Sequence, residues 1–82
     1  MNTFTLEVKT PEKRLFLDRA IRLTAPALDG EIGIMANHAA LATELKAGTL
    51  RIELETGETK KLDTGAGFLI VNKNEISVLL KK

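Results

Sequence analysis

The chain has 82 residues, and its 12 Lys and Arg residues against 11 Asp and Glu residues give a formal net charge of +1. This near-neutral balance leaves no extended basic surface, so we expect no nucleic acid partner and no attraction to an anionic membrane. Cysteine is absent, which excludes disulfides and thiol chemistry, and no apolar run approaches the roughly 20 residues of a membrane span, so we expect no direct membrane insertion.

Apolar residues at every second position predict half-buried strands in four segments of the chain. In chain order these are residues 4–8, 21–25, 50–54 and 76–80. Residues 68–71 read FLIV, a continuous apolar run that is typical of a strand covered on both faces. The hydrophobic pattern therefore predicts strands along most of the chain.

Turn signals separate these strands at short intervals, at residues 10–13, 26–30, 56–58 and 72–74. Seven or more short strands in a chain of this length predict an all-β fold, a compact antiparallel β-sandwich or flattened barrel with its core between two sheets. We expect residues 1–82 to form one such domain, with no C-terminal helical domain.

The segment 37–48, NHAALATELKAG, is compatible with two conformations. Asn37 is a suitable helix N-cap, the interior favours helix, and Gly48 stands where a helix often ends. A strand is also available, with Leu41, Thr43 and Leu45 on one face. The residues taken alone leave both conformations open.

His38 is the only histidine and the first candidate for acid–base or metal chemistry, since the carboxylates are scattered singly on the polar faces of the predicted strands. The chain has no second histidine, no cysteine, and no HxxE or ExxH spacing that would supply a partner. Ser77, the only serine, lies within a predicted strand and lacks a nucleophile elbow. We therefore predict no catalytic residue, no metal and no cofactor, and the protein is not expected to be an enzyme.

Two glycine-containing segments, DGEIG at 29–33 and TGAGF at 64–68, could suggest a phosphate cradle. Neither precedes a predicted helix, and neither carries the lysine of a P-loop. We interpret the glycines as sites of tight turns and bulges, where a side chain would clash or the backbone must take a positive φ. The structural turn glycines predicted in this way are Gly33, Gly48, Gly65 and Gly67.

Residues 32–42 contain more small apolar side chains than one connection needs. In a small sandwich some of them must reach the surface, and a contiguous exposed apolar patch marks a protein interface. The alternative is that they close one end of the core. We favour the interface.

The order of four segments resembles a known family. TPEKRLF (10–16), DGEIGI (29–34), NHAALATELKAGTLRI (37–52) and TGAGFLIVNKNEISVL (64–79) resemble, in order and spacing, the epsilon subunit of the F-type ATP synthase. The likeness runs from Phe4 to Leu79. It implies the N-terminal β-sandwich domain of that subunit.

The chain departs from the family pattern around the histidine. The family usually has Pro-Gly before it and Pro two residues after it, where this chain has Ala36, Asn37 and Ala40. Asparagine tolerates the left-handed conformation of a glycine, so we expect the turn to survive. The prolines of the family exclude a helix, so the resemblance favours extended chain over residues 38–46. Ala66 stands where the family favours a second glycine.

The resemblance also implies a role and partners. It implies a non-catalytic rotor subunit that docks the gamma subunit to the c-ring of a proton-translocating ATP synthase, at the cytoplasmic face of a bacterial inner membrane. Members usually continue into a C-terminal helical hairpin, and for a chain that ends at Lys82 we expect neither the hairpin nor its nucleotide site. The implied c-ring contacts are Asp29, Gly30 and Glu31. The implied gamma contacts are Thr10, His38, Ala39, Ala40, Leu41, Ala42 and Thr43.

Two other classes of function remain open. The chain could be a free-standing β-sandwich adaptor that binds a peptide or small ligand at a sheet edge. An enzyme would require a partner for His38 in a cleft, and the sequence offers none.

Overall fold

A computed structural model describes residues 2–81, and within that range the chain forms eight β-strands and no helix, which confirms the all-β fold. The two terminal residues of the predicted domain lie outside the described range. The strands are β1 (Phe4–Lys9), β2 (Arg14–Ala27), β3 (Gly30–Met35), β4 (His38–Leu45), β5 (Gly48–Leu54), β6 (Thr59–Thr64), β7 (Gly67–Lys73) and β8 (Glu75–Leu80). The part of the chain that the structure describes accordingly holds no helix that is long and apolar enough to cross a membrane.

The long strand β2 belongs to both layers of the sandwich. Its first half pairs with β1, from Phe16 to Ala20, and its second half pairs with β3 and β5 around Leu23. One layer has the order β2–β1–β8–β7–β4 and the other β3–β2–β5–β6, and a single pairing of Ala27 with Leu45 joins the β4 edge of the first layer to the end of β2 in the second. β2 has 14 residues, so the expectation of uniformly short strands is wrong there. The twist of a long strand allows it to pass from one layer to the other.

The first and last strands pair in parallel. Leu6 stands opposite Ile76 and Val8 opposite Val78, with both strands running in the same direction. This corrects the antiparallel prediction for one pair. Hairpin turns force sequential strands to be antiparallel, but no turn joins β1 to β8, and alternation of side chains is the same in either direction.

The core lies between the two layers and is built from the alternating apolar residues that predicted the strands. Leu6, Leu23, Ile52, Leu69 and Val78 have no exposed surface. Each such side chain contributes about 1.5–3 kcal/mol through removal from water. Among residues 2–81 no charged or polar side chain is buried.

Strand β7 differs from the prediction made for FLIV. Leu69 and Val71 face the core, with 0% and 2% of their surface exposed, whereas Phe68 and Ile70 are 42% and 41% exposed. The strand is therefore covered on one face and open on the other. The prediction of two covered faces is wrong.

The segment after Asn37 is a strand, which settles the choice left open by its residues. β4 pairs with β7 from Leu41 opposite Val71 to Leu45 opposite Gly67. Helix propensity is worth only tenths of a kcal/mol per residue, and the backbone pairing and burial available in the sheet exceed it. Asn37 has φ 64°, so the left-handed turn expected there is confirmed.

The four glycines predicted at turns have different positions. Gly33 lies inside β3, has no positive φ, and an added Cβ would meet nothing closer than 4.0 Å, so its assignment to a turn is wrong. Gly48 begins β5, packed against Pro26, and Gly65 lies in the bend between β6 and β7. Gly67 begins β7, where an added Cβ would overlap the backbone carbonyl of Leu79. Close approach of two strands explains that glycine.

Candidate functional site

The turn between β3 and β4 sets the start of the predicted gamma contact. Asn37 holds this turn in the left-handed conformation, and its backbone N–H donates to the side chain of Asn74 in the β7–β8 turn. His38 follows as the first residue of β4 and pairs with Lys73. Residues 38–43, which were predicted on an interface loop, therefore lie in a strand, because they belong to β4, which pairs with the edge of β7.

The ring of His38 is held by the backbone of the next residue. Its Nδ1 lies 2.7 Å from the carbonyl oxygen of Ala39. A carbonyl oxygen can only accept a hydrogen bond, so Nδ1 carries the proton and donates it. The described residues contain no cluster of three His, Cys, Asp or Glu side chains that could bind a metal. This geometry suits a contact residue whose free ring nitrogen, Nε2, is available to a partner.

A bulge in β4 follows His38. The pairing passes from His38 opposite Lys73 to Leu41 opposite Val71, so three steps on β4 match two on β7. One extra residue is therefore accommodated at Ala39 and Ala40, and both are exposed. A bulge turns side chains away from their regular direction, and here it presents two methyl groups to solvent.

Beyond the bulge the predicted contact residues divide between two faces. Leu41 packs against the core, and Thr43, two positions along the strand, shares its direction and is half-buried. Ala42, between them, is exposed and stands opposite Ile70. Alternation in a strand makes this division unavoidable. The structure thus assigns Ala42 to the outer surface and Leu41 to the core side, where it is half-buried.

Ala42 is part of an apolar surface on the outside of the first layer. Ile70 is registered with Ser77, Ser77 with Glu7, and Glu7 with Leu17. In the next row on the same face, two residues along β7 from Ile70, Phe68 stands between Glu44 on β4 and Leu79 on β8. We call the apolar members of this surface the outer face: Leu17, Ala42, Phe68, Ile70 and Leu79.

Sequence reasoning missed Phe68 and Ile70 as surface residues. The FLIV pattern is the same whether the second face of a strand is covered by its own chain or left open. The signal that distinguishes the two cases lies in the neighbouring strands, where Glu44 and Ser77 flank these residues on the outer side. Polar neighbours on the same face indicate that no second layer of this chain covers it.

Thr10 and His38 lie at opposite ends of the first layer. Thr10 follows Lys9, which is registered with Leu79, whereas His38 is registered with Lys73 beside the β7–β8 turn. Thr10 Oγ1 accepts hydrogen bonds from the backbone N–H groups of Lys13, at 3.2 Å, and Glu12, at 3.3 Å, and so closes the β1–β2 turn. The structure therefore does not bring these two predicted contacts together, and the outer face lies between them.

The acidic turn predicted to meet the c-ring is a separate surface. Leu28 and Asp29 form the turn between β2 and β3, and Gly30 has φ 126°, a backbone conformation that favours glycine. Asp29 and Glu31 are exposed. The turn follows Ala27, which pairs with Leu45 at the far end of β4, roughly 23 Å along the strand from His38.

A surface cavity of about 390 Å³ lies on the second layer. None of the predicted site residues borders it. Because His38 is not in its lining, this cavity is not the cleft that an enzyme would need around His38. Its lining residues are Asn2, Ile21, Arg22, Met35, Ala36 and Glu53.

These features define an all-β sandwich domain with an exposed apolar face and an exposed acidic turn. Comparison with known proteins shows which one: the chain belongs to the family of the ATP synthase delta/epsilon chain β-sandwich domain, whose model matches residues 3–82. The resemblance noted in the sequence is confirmed.

Relatives of the chain carry the name ATP synthase epsilon chain. That of Syntrophomonas wolfei is 44% identical over 78 residues, which cover 95% of this chain and 57% of the relative. That of Pelotomaculum thermopropionicum is 40% identical over 77 residues, covering 94% of this chain and 57% of the relative. The chain thus spans somewhat more than half the length of these relatives. The epsilon chain is a subunit of the ATP synthase complex rather than its catalytic unit, in accord with the prediction that this protein is not an enzyme.

Solved structures share the fold. A chain of the mitochondrial ATP synthase of Euglena gracilis superposes with a TM-score of 0.91 at 21% identity, covering 98% of this chain and 51% of that one. A chain from the central stalk and c-ring of the Tetrahymena thermophila mitochondrial ATP synthase gives a TM-score of 0.80 at 22% identity, covering 99% and 65%. At these identities the likeness establishes the fold.

Proposed function

We propose that this chain is a central-stalk component that docks the gamma subunit to the c-ring of a proton-translocating F-type ATP synthase. The family and the names of the relatives support this assignment. In that role the protein is peripheral, at the cytoplasmic face of a bacterial inner membrane. It carries out no reaction and helps to couple rotation of the ring to ATP synthesis.

The exposed pair Phe68 and Ile70 carries the proposal for the gamma contact. Two large apolar side chains in one strand, each about two-fifths exposed, are unfavourable in water unless a partner covers them. Ala42 beside Ile70, and Ala39 and Ala40 at the bulge, have short side chains that allow a partner backbone to approach closely. We assign the outer face and these alanines to gamma.

Polar groups lie beside the apolar side chains Phe68 and Ile70, as expected for a protein interface. Arg14 Nε donates to Glu7 Oε2 at 2.9 Å on the β1–β2 side. Lys81 Nζ lies 5.9 Å from the centre of the Phe68 ring. His38 and Thr10 stand at the two ends. Glu7 stands between Ser77 and Leu17 in the register, so it separates Leu17 from the other members of the outer face.

The acidic turn is the proposed c-ring contact. Asp29 and Glu31 project two exposed carboxylates from a tight turn, a form that suits basic groups on the polar loops of a ring. The turn and His38 lie at opposite ends of β4, so the turn is well separated from the His38 end of the proposed gamma surface.

The adaptor alternative receives little support from β6, one edge of the second layer, whose other edge is β3. In the pairing of residues 2–81, β6 has a neighbour on one side, β5, and would be open to an added strand. It carries Lys60 and Lys61, both exposed, and edge lysines are a common device against strand addition.

Binding to a gamma-containing catalytic complex of the same organism tests the proposal. We expect Ile70→Glu to raise the dissociation constant roughly 100-fold or more, because an interface would bury the new charge without a partner. Met35→Glu is the matched control, since Met35 is 58% exposed and lies on β3 in the other layer. Equal affinities for Ile70→Glu and the unchanged chain would exclude the outer face as the gamma contact.

A further inference from the structure

Asn37 and Asn74 connect two turns that are distant in sequence. The backbone N–H of Asn37 donates to Asn74 Oδ1 at 2.6 Å, and Asn74 Nδ2 donates to Asn37 Oδ1 at 3.1 Å. The backbone carbonyl of Asn74 also accepts from the N–H of Thr5 at 2.8 Å. One residue therefore holds the β3–β4 turn, the β7–β8 turn and the first residues of β1 together.

The backbone at Asn37 requires such support. With φ 64° it occupies the left-handed region, which is unfavourable for residues that have a Cβ and which asparagine tolerates better than most. In this chain both hydrogen bonds of the pair act on Asn37 itself, one on its N–H and one on its side chain.

The conformation at Asn37 determines where β4 begins. His38 follows directly, and the bulge at Ala39 comes one residue later. A rotation about the backbone of Asn37 would move both residues, because β4 is irregularly paired with β7 until Leu41. We propose that Asn74 is a positioning residue, whose reciprocal hydrogen bonds with Asn37 fix His38 and the bulge in the orientation that gamma meets. The consequence for gamma rests on the proposed function.

Because both asparagines are exposed, their positioning role can be measured separately from any contribution to stability. Both asparagines are exposed, so their hydrogen bonds exchange with bonds to water and add little to the free energy of unfolding. The loss of the pair then shows as greater freedom of the turn, with the fold intact.

Nuclear magnetic resonance of the 82-residue chain tests the positioning directly. We expect Asn74→Ala to shift the amide resonances of His38 and Ala39 and to speed their hydrogen exchange. Asn72→Ala is the control, because Asn72 is an exposed residue of β7 two positions before Asn74. It should leave the amide resonance of His38 unchanged. Unaltered His38 and Ala39 amides in Asn74→Ala would overturn the proposal.

Binding measurements distinguish positioning from destabilisation. At a temperature where every variant is folded, we expect Asn74→Ala to weaken binding of the gamma-containing complex up to about tenfold. Leu62→Ala, which removes a side chain packed against the core from β6, should lower stability without changing affinity. If Ile70→Glu weakens binding and Asn74→Ala does not, the positioning role is overturned and the proposed function stands. If neither weakens binding, the gamma assignment fails, and the amide resonances still decide whether Asn74 positions His38.

Discussion

Ala42 and Ile70 stand directly opposite each other on β4 and β7, with both side chains exposed on the same side of the sheet. Their neighbours Leu41 and Val71, also registered with each other, face the core side. Adjacent residues in one short segment thus serve two different purposes, surface and interior. A substitution at Leu41 should therefore affect mainly stability, and one at Ala42 mainly binding.

Ala42→Glu should weaken gamma binding and leave folding almost unchanged. An exposed strand residue tolerates a charge within about 0.5 kcal/mol, whereas the same charge pressed against an apolar partner is costly. Urea unfolding and the dissociation constant for the gamma-containing complex measure the two effects separately. Unchanged affinity would remove Ala42 from the interface.

Leu41→Asp should destabilise the fold. The half-buried side chain packs against the core, so the change removes apolar contacts and partly desolvates a carboxylate, at a cost of at least about 1–3 kcal/mol, the range for an uncompensated neutral polar group. The midpoint of urea denaturation should fall accordingly. A variant as stable as the unchanged chain would show that Leu41 points outward and belongs with Ala42.

Gly67→Ala should lower the free energy of unfolding by about 1–3 kcal/mol through overpacking. The new methyl group would overlap the carbonyl oxygen of Leu79 and lie 2.9 Å from the Cα atom of Leu80, both of them backbone atoms that cannot move aside cheaply. Gly65→Ala is the matched control, because open space surrounds Gly65 and its φ is not positive. Chemical denaturation of both variants compares them, and equal stability would contradict the close approach of β7 and β8.

Glu31→Lys should impair coupling between proton flow and ATP synthesis while the fold stays intact. Reversal of an exposed charge costs little stability but replaces attraction to a basic ring loop with repulsion. Glu55→Lys, at an exposed position after β5, provides the control for charge alone. Membrane vesicles carrying each variant report ATP synthesis driven by a proton gradient, and normal synthesis with Glu31→Lys would take the acidic turn out of the c-ring contact.

Local features of the sequence predicted the strands well. Alternation at residues 4–8, 50–54 and 76–80 corresponds to β1, β5 and β8, and the hairpins at Gly57 and Lys73 lie where the turn residues indicated. The conformation after Asn37 was open from the residues alone. It is decided by pairing with β7, a contact about 30 residues away in sequence.

Features that depend on distant neighbours could not be predicted in this way. The parallel direction of β8 beside β1 leaves no mark on either strand, and nothing in FLIV tells which of its faces is covered. Gly33 illustrates the same limit, since a glycine inside a strand and a glycine in a turn look alike in sequence. The candidate contacts at Thr10 and His38 lie at opposite ends of the sheet, which only the register of the strands reveals.

The double membership of β2 has a mechanical consequence for a rotor component. This strand starts just after the turn closed by Thr10 and ends just before the turn that carries Asp29. A load applied at the acidic turn therefore reaches the Thr10 turn through one covalent path. Backbone pairing with β1, β3 and β5 along that path ties β2 to strands of both layers, so a load carried by β2 is shared with them.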